Sequence, residues 1–472
     1  MLFSSLEFIF LFLPLSVAVY FLVPLRARNA VLLIFSLAFY GFGEPTYVFL
    51  MIFTVAADYL FGALVERNLH RRARARAILV ISVIFNLGIL AYFKYYSLFA
   101  KILTATLDIS LPLGSVPKLP IGISFYTFQA MSYVIDVYRK DAKAEKNPLA
   151  LGTYVALFPQ LVAGPIIRYG EIADQLKQRE HSIERAASGI RRFCVGLAKK
   201  CILANAAGEI WSDFCISFNM GVGVSALGAW WALIAFSFQI YFDFSGYSDM
   251  AIGLGRIFGF EFPENFNYPY TAKSITDFWR RWHITLSAWF REYVYIPLGG
   301  NREGRGRMYL NLFIVWSLTG LWHGATLNFL LWGLYYFLLL TLEKAFLSKL
   351  LSRMPSILCH IYSLFFIALG WLIFAADGDL LSVNGAMRFL SAMFSAPLFD
   401  DGAIYDATRL LPFFIIMAIS ATPLFKNLKE RAERRSPNFS GAALNMLAFL
   451  SVLISTAYLV NSGYNPFLYF RF

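Results

Sequence analysis

Charge is what this 472-residue chain has least of: Asp, Glu, Lys and Arg together make up 15% of it. Soluble globular domains carry about a quarter. Cysteine is scarce as well. Cys194, Cys201, Cys215 and Cys359 form no CxxC pair and no metal-ligand spacing, which leaves no redox or zinc role, no metal and no bound cofactor to expect. There is no GxxxxGK[ST] phosphate loop and no HExxH. The stretch Gly246-Tyr-Ser248-Asp-Met250 lacks the last glycine of GxSxG, so it makes no nucleophile elbow. Neither His283 nor His323 is followed five residues on by aspartate, because Ala288 and Asn328 stand there. That excludes the HxxxxD arrangement.

What the chain does have is apolar length. Hydrophobic residues make up 58%, and the mean hydropathy is +0.59. Apolar runs recur from one end to the other, and crossing a bilayer takes about 20 such residues as helix. They are too long and alternate too little for barrel strands. The fold class is therefore all-α, a polytopic membrane protein. Spans are expected at 6–25, 29–43, 46–64, 77–99, 120–138, 149–167, 225–244, 309–322, 325–342, 357–376, 408–425 and 440–460. Met1–Glu7 has no basic residue and no small-x-small cleavage site follows the Leu6–Val23 run, so this reads as a retained first helix and not a signal peptide. There is no internal repeat, and residues 1–472 read as a single domain.

The net charge of +12 gathers in short loops between spans, as expected of cytoplasmic loops, and does not point to nucleic acid. Glu66–Arg76 holds five arginines and Lys426–Arg435 five Lys or Arg; both read as inside. Asp377–Asp406 holds five aspartates against one arginine and reads as outside. The N-terminus is then outside too. The mixed stretch Tyr169–Asn205 suggests amphipathic helices at the cytoplasmic interface. Asn265–Gly306, rich in Trp and Arg and bounded by prolines and glycines, suggests an embedded or re-entrant helix.

Between Tyr309 and Leu342 there is no Asp, Glu, Lys or Arg, and His323 is the only histidine. An ionisable side chain at membrane depth is a candidate functional group. It can equally be a neutral imidazole hydrogen-bonded between helices, and the Gly320/Gly324 spacing around it is an ordinary helix-packing pattern. His283 lies in Asp277-Phe-Trp-Arg-Arg-Trp-His283-Ile-Thr-Leu-Ser287. One continuous helix would put Trp279, His283 and Ser287 on a shared face and pair Asp277 with Arg280 or Arg281. A structural Trp/Arg helix anchored at the interface is the plainer reading. Two histidines in adjacent elements shift the balance toward an active site, since histidine is the usual general base near neutral pH. Tyr241-Phe-Asp243-Phe-Ser-Gly-Tyr-Ser-Asp249 places two aspartates at the end of a span, as substrate-pathway groups, ion ligands or caps. Pro263–Tyr270, with Asn265, reads as an ordered turn-rich loop.

These residues carry a resemblance. Phe3–Pro14, Pro120–Gln129, Pro159–Pro165, Tyr241–Gly255, Phe278–Ser287, Tyr295–Asn301, Gly320–Ala325 and Tyr464–Phe472 together resemble the membrane-bound O-acyltransferase family, in the bacterial branch typified by the membrane subunit of alginate O-acetyltransferase. The resemblance covers nearly the whole chain. It implies a ring of membrane helices around a thinned centre with a cytoplasmic funnel. It also implies catalytic roles for His323 and His283. Trp322, Asn328, Asp277, Arg281, Asp243, Tyr241 and Asn265 stand as substrate-binding or supporting candidates. One departure is visible: the branch often has Phe-Phe-Arg-Ala near residue 370, whereas Gly370-Trp-Leu-Ile-Phe-Ala-Ala376 has no arginine.

The resemblance further implies acetyl transfer from a cytoplasmic thioester, acetyl-CoA as co-substrate, toward a polysaccharide such as alginate, peptidoglycan or cellulose. Its setting would be the bacterial inner membrane. The implied partners are a periplasmic or membrane-tethered O-acetyltransferase of the SGNH type and polysaccharide assembly proteins. Within this reading His323 would take the acceptor's proton, and His283 would orient a partner or stabilise an oxyanion. The alternatives are D-alanyl transfer to teichoic acid, or a secondary transporter or channel using Asp243, Asp249 and His323 as an ion path.

Overall fold

The computed structural model describes residues 1–107, 117–378, 380–461 and 463–468, so the last four residues of the Tyr464–Phe472 match lie outside the described residues. Among these the secondary structure is helical, without a strand. Seven helices are long and apolar enough to cross a bilayer: Leu25–Gly43, Tyr47–Arg67, Arg72–Ala100, Ala226–Ile257, Leu327–Leu351, Ser356–Ala375 and Ser440–Asn461. An eighth results if Thr408–Ser420 and Leu424–Arg435, bent by 61°, are counted as one crossing. The protein is a multi-pass, all-α membrane protein.

Several expected spans come out differently. In place of 149–167 there is a helix only over Pro148–Ala156. At 1.5 Å per residue it is about 13 Å long, too short for the hydrocarbon core. Pro159, Gly164-Pro165 and the left-handed Val162 (φ +81) keep the chain from resuming it. Every residue of Leu157–Ile167 is buried. The apolarity of this stretch reflects a protein interior and not a lipid face. The helix Ile123–Arg139 is likewise buried at all but three positions. The first apolar run makes a short helix over Phe8–Leu22, and the 309–322 span is the helix Arg305–His323, which is not among the seven. The basic stretch after residue 425 is itself a helix, Leu424–Arg435.

The chain divides into two compact units. The first comprises Met1–Phe193 and Tyr247–Pro263. Its helix Ile123–Arg139 packs against Tyr47–Arg67 and Arg72–Leu107. Asp58 is buried there and accepts from Asn86 (2.8 Å) and Ser82 (3.2 Å). Tyr169–Lys177 and Ile183–Ala198 supply the expected charged helices. Ile183 and Ile190 are exposed while Phe193 is buried.

The second unit comprises Cys194–Gly246 and Glu264–Leu468. At its centre the helices Arg305–His323 and Leu327–Leu342 form a tight antiparallel hairpin, with Ser356–Ala375 packed on the latter. The hairpin closes because two positions have no side chain. A Cβ on Gly320 would stand 2.4 Å from the Phe329 carbonyl oxygen, and one on Gly333 2.3 Å from that of Trp316. Small residues let membrane helices approach at backbone distance. Gly333→Ala should therefore splay the hairpin and destabilise the protein by about 1–3 kcal/mol. Thermal unfolding in detergent reads this directly, against Gly306→Ala as control, where a Cβ meets nothing within 4 Å.

Candidate active site

The site is built from three pieces of the second unit: the hairpin end at His323, the broken helix at 275–290, and the end of the helix Ser356–Ala375. His323 is the last residue of Arg305–His323, and Gly324 leaves that helix in extended conformation. The imidazole is buried, with Trp322 at 4.9 Å, Trp332 at 5.0 Å and Phe374 at 5.3 Å between ring centroids. All three meet it edge to face, at 79–80°. Phe374 belongs to the segment that departs from the family pattern, so that stretch forms part of the chamber wall.

The helix expected through His283 is interrupted. It runs over Ile275–Trp279 and again over Ile284–Phe290. Between them His283 takes the left-handed conformation (φ +45, ψ +54), a rare and strained one for a residue with a Cβ. The shared face of Trp279, His283 and Ser287 therefore does not exist. Trp279 packs on Trp316, Trp332 and Tyr336, His283 lies against Phe244 (4.7 Å) and Trp322 (6.1 Å), and Ser287 is exposed. Trp322 thus touches both histidines with one indole.

Each half of the broken helix is capped from elsewhere. The Asn265 backbone carbonyl accepts from Ile284 N–H (3.0 Å), and its Oδ1 accepts from Thr285 N–H (3.3 Å) and Thr285 Oγ1 (2.9 Å). The same Oδ1 lies 3.1 Å from His283 Nδ1. A backbone N–H can only donate, so the Asn265 atom is the carbonyl oxygen and His283 Nδ1 carries the hydrogen. Its Nε2 then bears the lone pair. Burial pulls the basicity of this imidazole well below its ordinary range, keeping it neutral. The Ile275–Trp279 helix is capped by Ser274 Oγ, which accepts from Asp277 N–H (3.0 Å), and by the buried carboxylate of Glu343. Glu343 accepts from Ile275 N–H (2.7 Å), Thr276 N–H (2.8 Å) and Thr276 Oγ1 (2.6 Å). A carboxylate is favoured at a helix N-terminus by its unsatisfied donors and dipole.

The remaining expected residues separate. Trp322 and Asn265 are in direct contact with histidines. Asn328 Nδ2 donates to the Phe374 carbonyl (3.2 Å), and so holds a wall of the chamber. Tyr241 packs on Trp282 (6.1 Å) and Tyr270 (5.3 Å), beside the chamber. Asp277 pairs with Arg281 (2.9 Å), at the half-buried edge of the segment. Asp243 pairs with Lys200 (2.8 Å), both fully buried, and accepts from Leu468 N–H (2.9 Å). In the first unit Asp249 pairs with Arg192 (2.8 Å). Glu343, Trp332, Phe374, Phe244 and Thr285 were not expected from sequence. Only Glu343 carried a signal, as the first charged residue after the run from Tyr309 to Leu342.

The two buried imidazoles thus share one aromatic-walled chamber inside a multi-pass helical protein. The sequence signature of the MBOAT, membrane-bound O-acyltransferase family matches residues 55–374, and the chain belongs to that family. It is an acyltransferase, and it uses an acyl donor as co-substrate. It is 37% identical to a probable alginate O-acetylase of Azotobacter vinelandii, over 100% of both chains. It is 35% identical to a peptidoglycan O-acetyltransferase of Helicobacter pylori, covering 83% of this chain and 80% of that one. A teichoic acid D-alanyltransferase of Bacillus subtilis is 31% identical over 54% of this chain and 68% of its own.

Asn265→Ala should leave the Thr285 N–H and the His283 ring without their acceptor, costing about 1–3 kcal/mol. Melting temperature and activity should fall together. The Lys200–Asp243 pair gives a sharper contrast. Lys200→Met strands a buried carboxylate and should cost about 3–5 kcal/mol, whereas Lys200→Met with Asp243→Leu should recover most of it. Equal destabilisation of the single and double variants in thermal unfolding would contradict a structural role for the pair.

Proposed function

We propose that His323 and His283 are the catalytic histidines of an O-acetyltransferase that draws acetyl groups from cytoplasmic acetyl-CoA and serves O-acetylation of an exported or cell-surface polysaccharide. The observation that carries this reading is the single indole of Trp322 in contact with both imidazoles, within the family-matched region. His323 takes the proton of the acceptor hydroxyl as its oxygen attacks the thioester carbonyl. The C–O bond forms, the C–S bond breaks, and the thiol leaves with a proton. General-base assistance of this kind accounts for about 10²–10⁴-fold in rate.

His283 has a narrower part. With Nδ1–H committed to Asn265, its neutral ring presents an acceptor at Nε2. That arrangement supports the orienting role, holding a hydroxyl proton in line, over donation to an oxyanion.

The full-length similarity to a probable alginate O-acetylase supports acetyl over D-alanyl transfer and a polysaccharide setting. The natural accessory in that setting is a periplasmic or membrane-tethered SGNH-type O-acetyltransferase acting with polysaccharide assembly proteins. The distribution of basic loops supports an inner-membrane protein with its N-terminus outside and the Glu66–Arg76 and Lys426–Arg435 segments in the cytoplasm.

Release of free coenzyme A on mixing purified protein with acetyl-CoA tests the proposal. His323→Ala that still elutes and melts like wild type should lose about 10²–10⁴-fold. Near wild-type turnover in that variant would remove His323 from the chemistry.

A further inference from the structure

The first unit holds a polar cluster that the acyl-transfer chemistry does not use. It forms where three chain segments meet: the join between the helix Phe8–Leu22 and the span Leu25–Gly43, the linker before Ile183–Ala198, and the turn at 258–260. Gly259 in that turn is left-handed (φ +86), and a Cβ there would stand 3.1 Å from both the Glu180 carbonyl oxygen and His181 Nε2. The missing side chain lets the linker lie on the turn, which brings Arg179 and His181 to Tyr20. The Tyr20 hydroxyl donates to the Phe258 carbonyl (2.9 Å), so its oxygen accepts from its other two partners. These are Arg179 Nε (3.2 Å) and His181 Nε2 (2.9 Å), so the ring hydrogen of His181 sits on Nε2. His181 Nδ1 keeps a lone pair and faces Arg28 Nη1 at 3.4 Å. Burial, and then the guanidiniums of Arg28 and Arg179, lower the basicity of this imidazole, so it stays neutral and adds no third charge.

Two guanidiniums thus converge on one ring: Arg28 lies 4.9 Å and Arg179 5.9 Å from the Tyr20 centroid. Among the described residues neither pairs with a carboxylate. Glu180 and Glu261, in the same segments, are engaged by Arg185 and Arg256, and Asp174 and Glu184 stand exposed on the flanking helices. Donors remain open on both arginines. Arg179 Nη1 is spent on Asn29 Oδ1 (2.8 Å), whereas its Nη2 has no partner among the described residues. Arg28 has none at Nη2 and none at the buried Nε. The Nε–Nη2 edge is the fork that a guanidinium offers to a pair of phosphate oxygens. Two like charges held this close are unfavourable unless an anion neutralises them. The flanking residues narrow the anion. Leu22, Leu25 and Ile183 are 84%, 71% and 85% exposed, which suits acyl chains and not water. A ligand with an anionic head and apolar tails satisfies both halves.

We propose that Arg28 and Arg179 bind the phosphate diester of an anionic phospholipid where the first two apolar helices join. A zwitterionic choline headgroup fits less well, because it brings a third cation to two. The bound headgroup ties the helix join, the linker and the turn together as a structural ligand of the first unit. Inorganic phosphate presents the same oxygens without tails, and the experiment separates the two.

Wild type and the variants Arg28→Gln, Arg28→Lys and Arg26→Gln are purified in detergent and titrated with phosphatidylglycerol, phosphatidylcholine or inorganic phosphate. Native mass spectrometry reads bound lipid, and melting temperature reads stabilisation. Arg26, exposed in the same loop, is the control for general surface charge. Wild type and Arg26→Gln should bind phosphatidylglycerol in preference to phosphatidylcholine, and Arg28→Gln should bind it roughly tenfold more weakly. Arg28→Lys keeps the charge without the fork and should also bind more weakly, and it carries the test if Arg28→Gln does not fold. A folded Arg28 variant with wild-type affinity, or an equal loss in Arg26→Gln, overturns the assignment. Equal uptake of phosphatidylcholine overturns recognition of an anionic headgroup. Stabilisation by inorganic phosphate as large as that by phosphatidylglycerol gives the site to a free anion and overturns the lipid.

Discussion

The carboxamide of Asn265 holds together what the local sequence cannot. A helix that breaks inside a membrane protein exposes backbone donors that no water meets, and each must find a partner within the protein. At 275–290 the break is needed to turn His283 into the left-handed conformation and its ring toward Trp322. Asn265 satisfies the second half-helix through its main chain and side chain, and the same oxygen fixes the imidazole tautomer. Glu343 does the corresponding work for the first half-helix from a different span. The strain at His283 is thus sustained by hydrogen bonds from outside the segment, the usual condition for strained backbone to persist.

The division of polar labour is equally clear. Charge is kept out of the aromatic walls around His323 and placed where it is neutralised: Lys200 with Asp243, and Arg281 with Asp277. Burial favours the neutral form of the His283 imidazole, the form that can act as a base. The edge-to-face rings present the positive rims of some aromatics to the faces of others, an arrangement that also fixes rotamers. Side chains so constrained can keep a reacting carbonyl and a hydroxyl in register at little entropic cost.

Most of the spans were legible because length and apolarity are sufficient signals for a helix against lipid. The same signal misled at 149–167 and blurred at 120–138, where residues are apolar because protein surrounds them. Periodicity misled at Trp279, His283 and Ser287, since a shared helical face presumes an unbroken helix. His323 was visible as the one ionisable group in an apolar run, and His283 as a histidine in a Trp- and Arg-rich segment. Their setting was not: Asn265 reaches His283 across eighteen residues and Phe374 reaches His323 across fifty-one, separations on which one sequence is silent. Asp243 shows the converse. A carboxylate in a span invites a transport or binding role, and only the structure shows that Lys200 neutralises it.

The chain holds ten tryptophans, and six of them (Trp279, Trp282, Trp316, Trp322, Trp332 and Trp371) are joined by ring contacts to one another or to the two histidines. The ultraviolet emission of the whole protein is therefore weighted toward the chamber around the two histidines. Imidazolium quenches indole fluorescence on contact, so protonation of either histidine dims the intrinsic signal. The aromatic walls around the two histidines therefore make their protonation optically audible without a label.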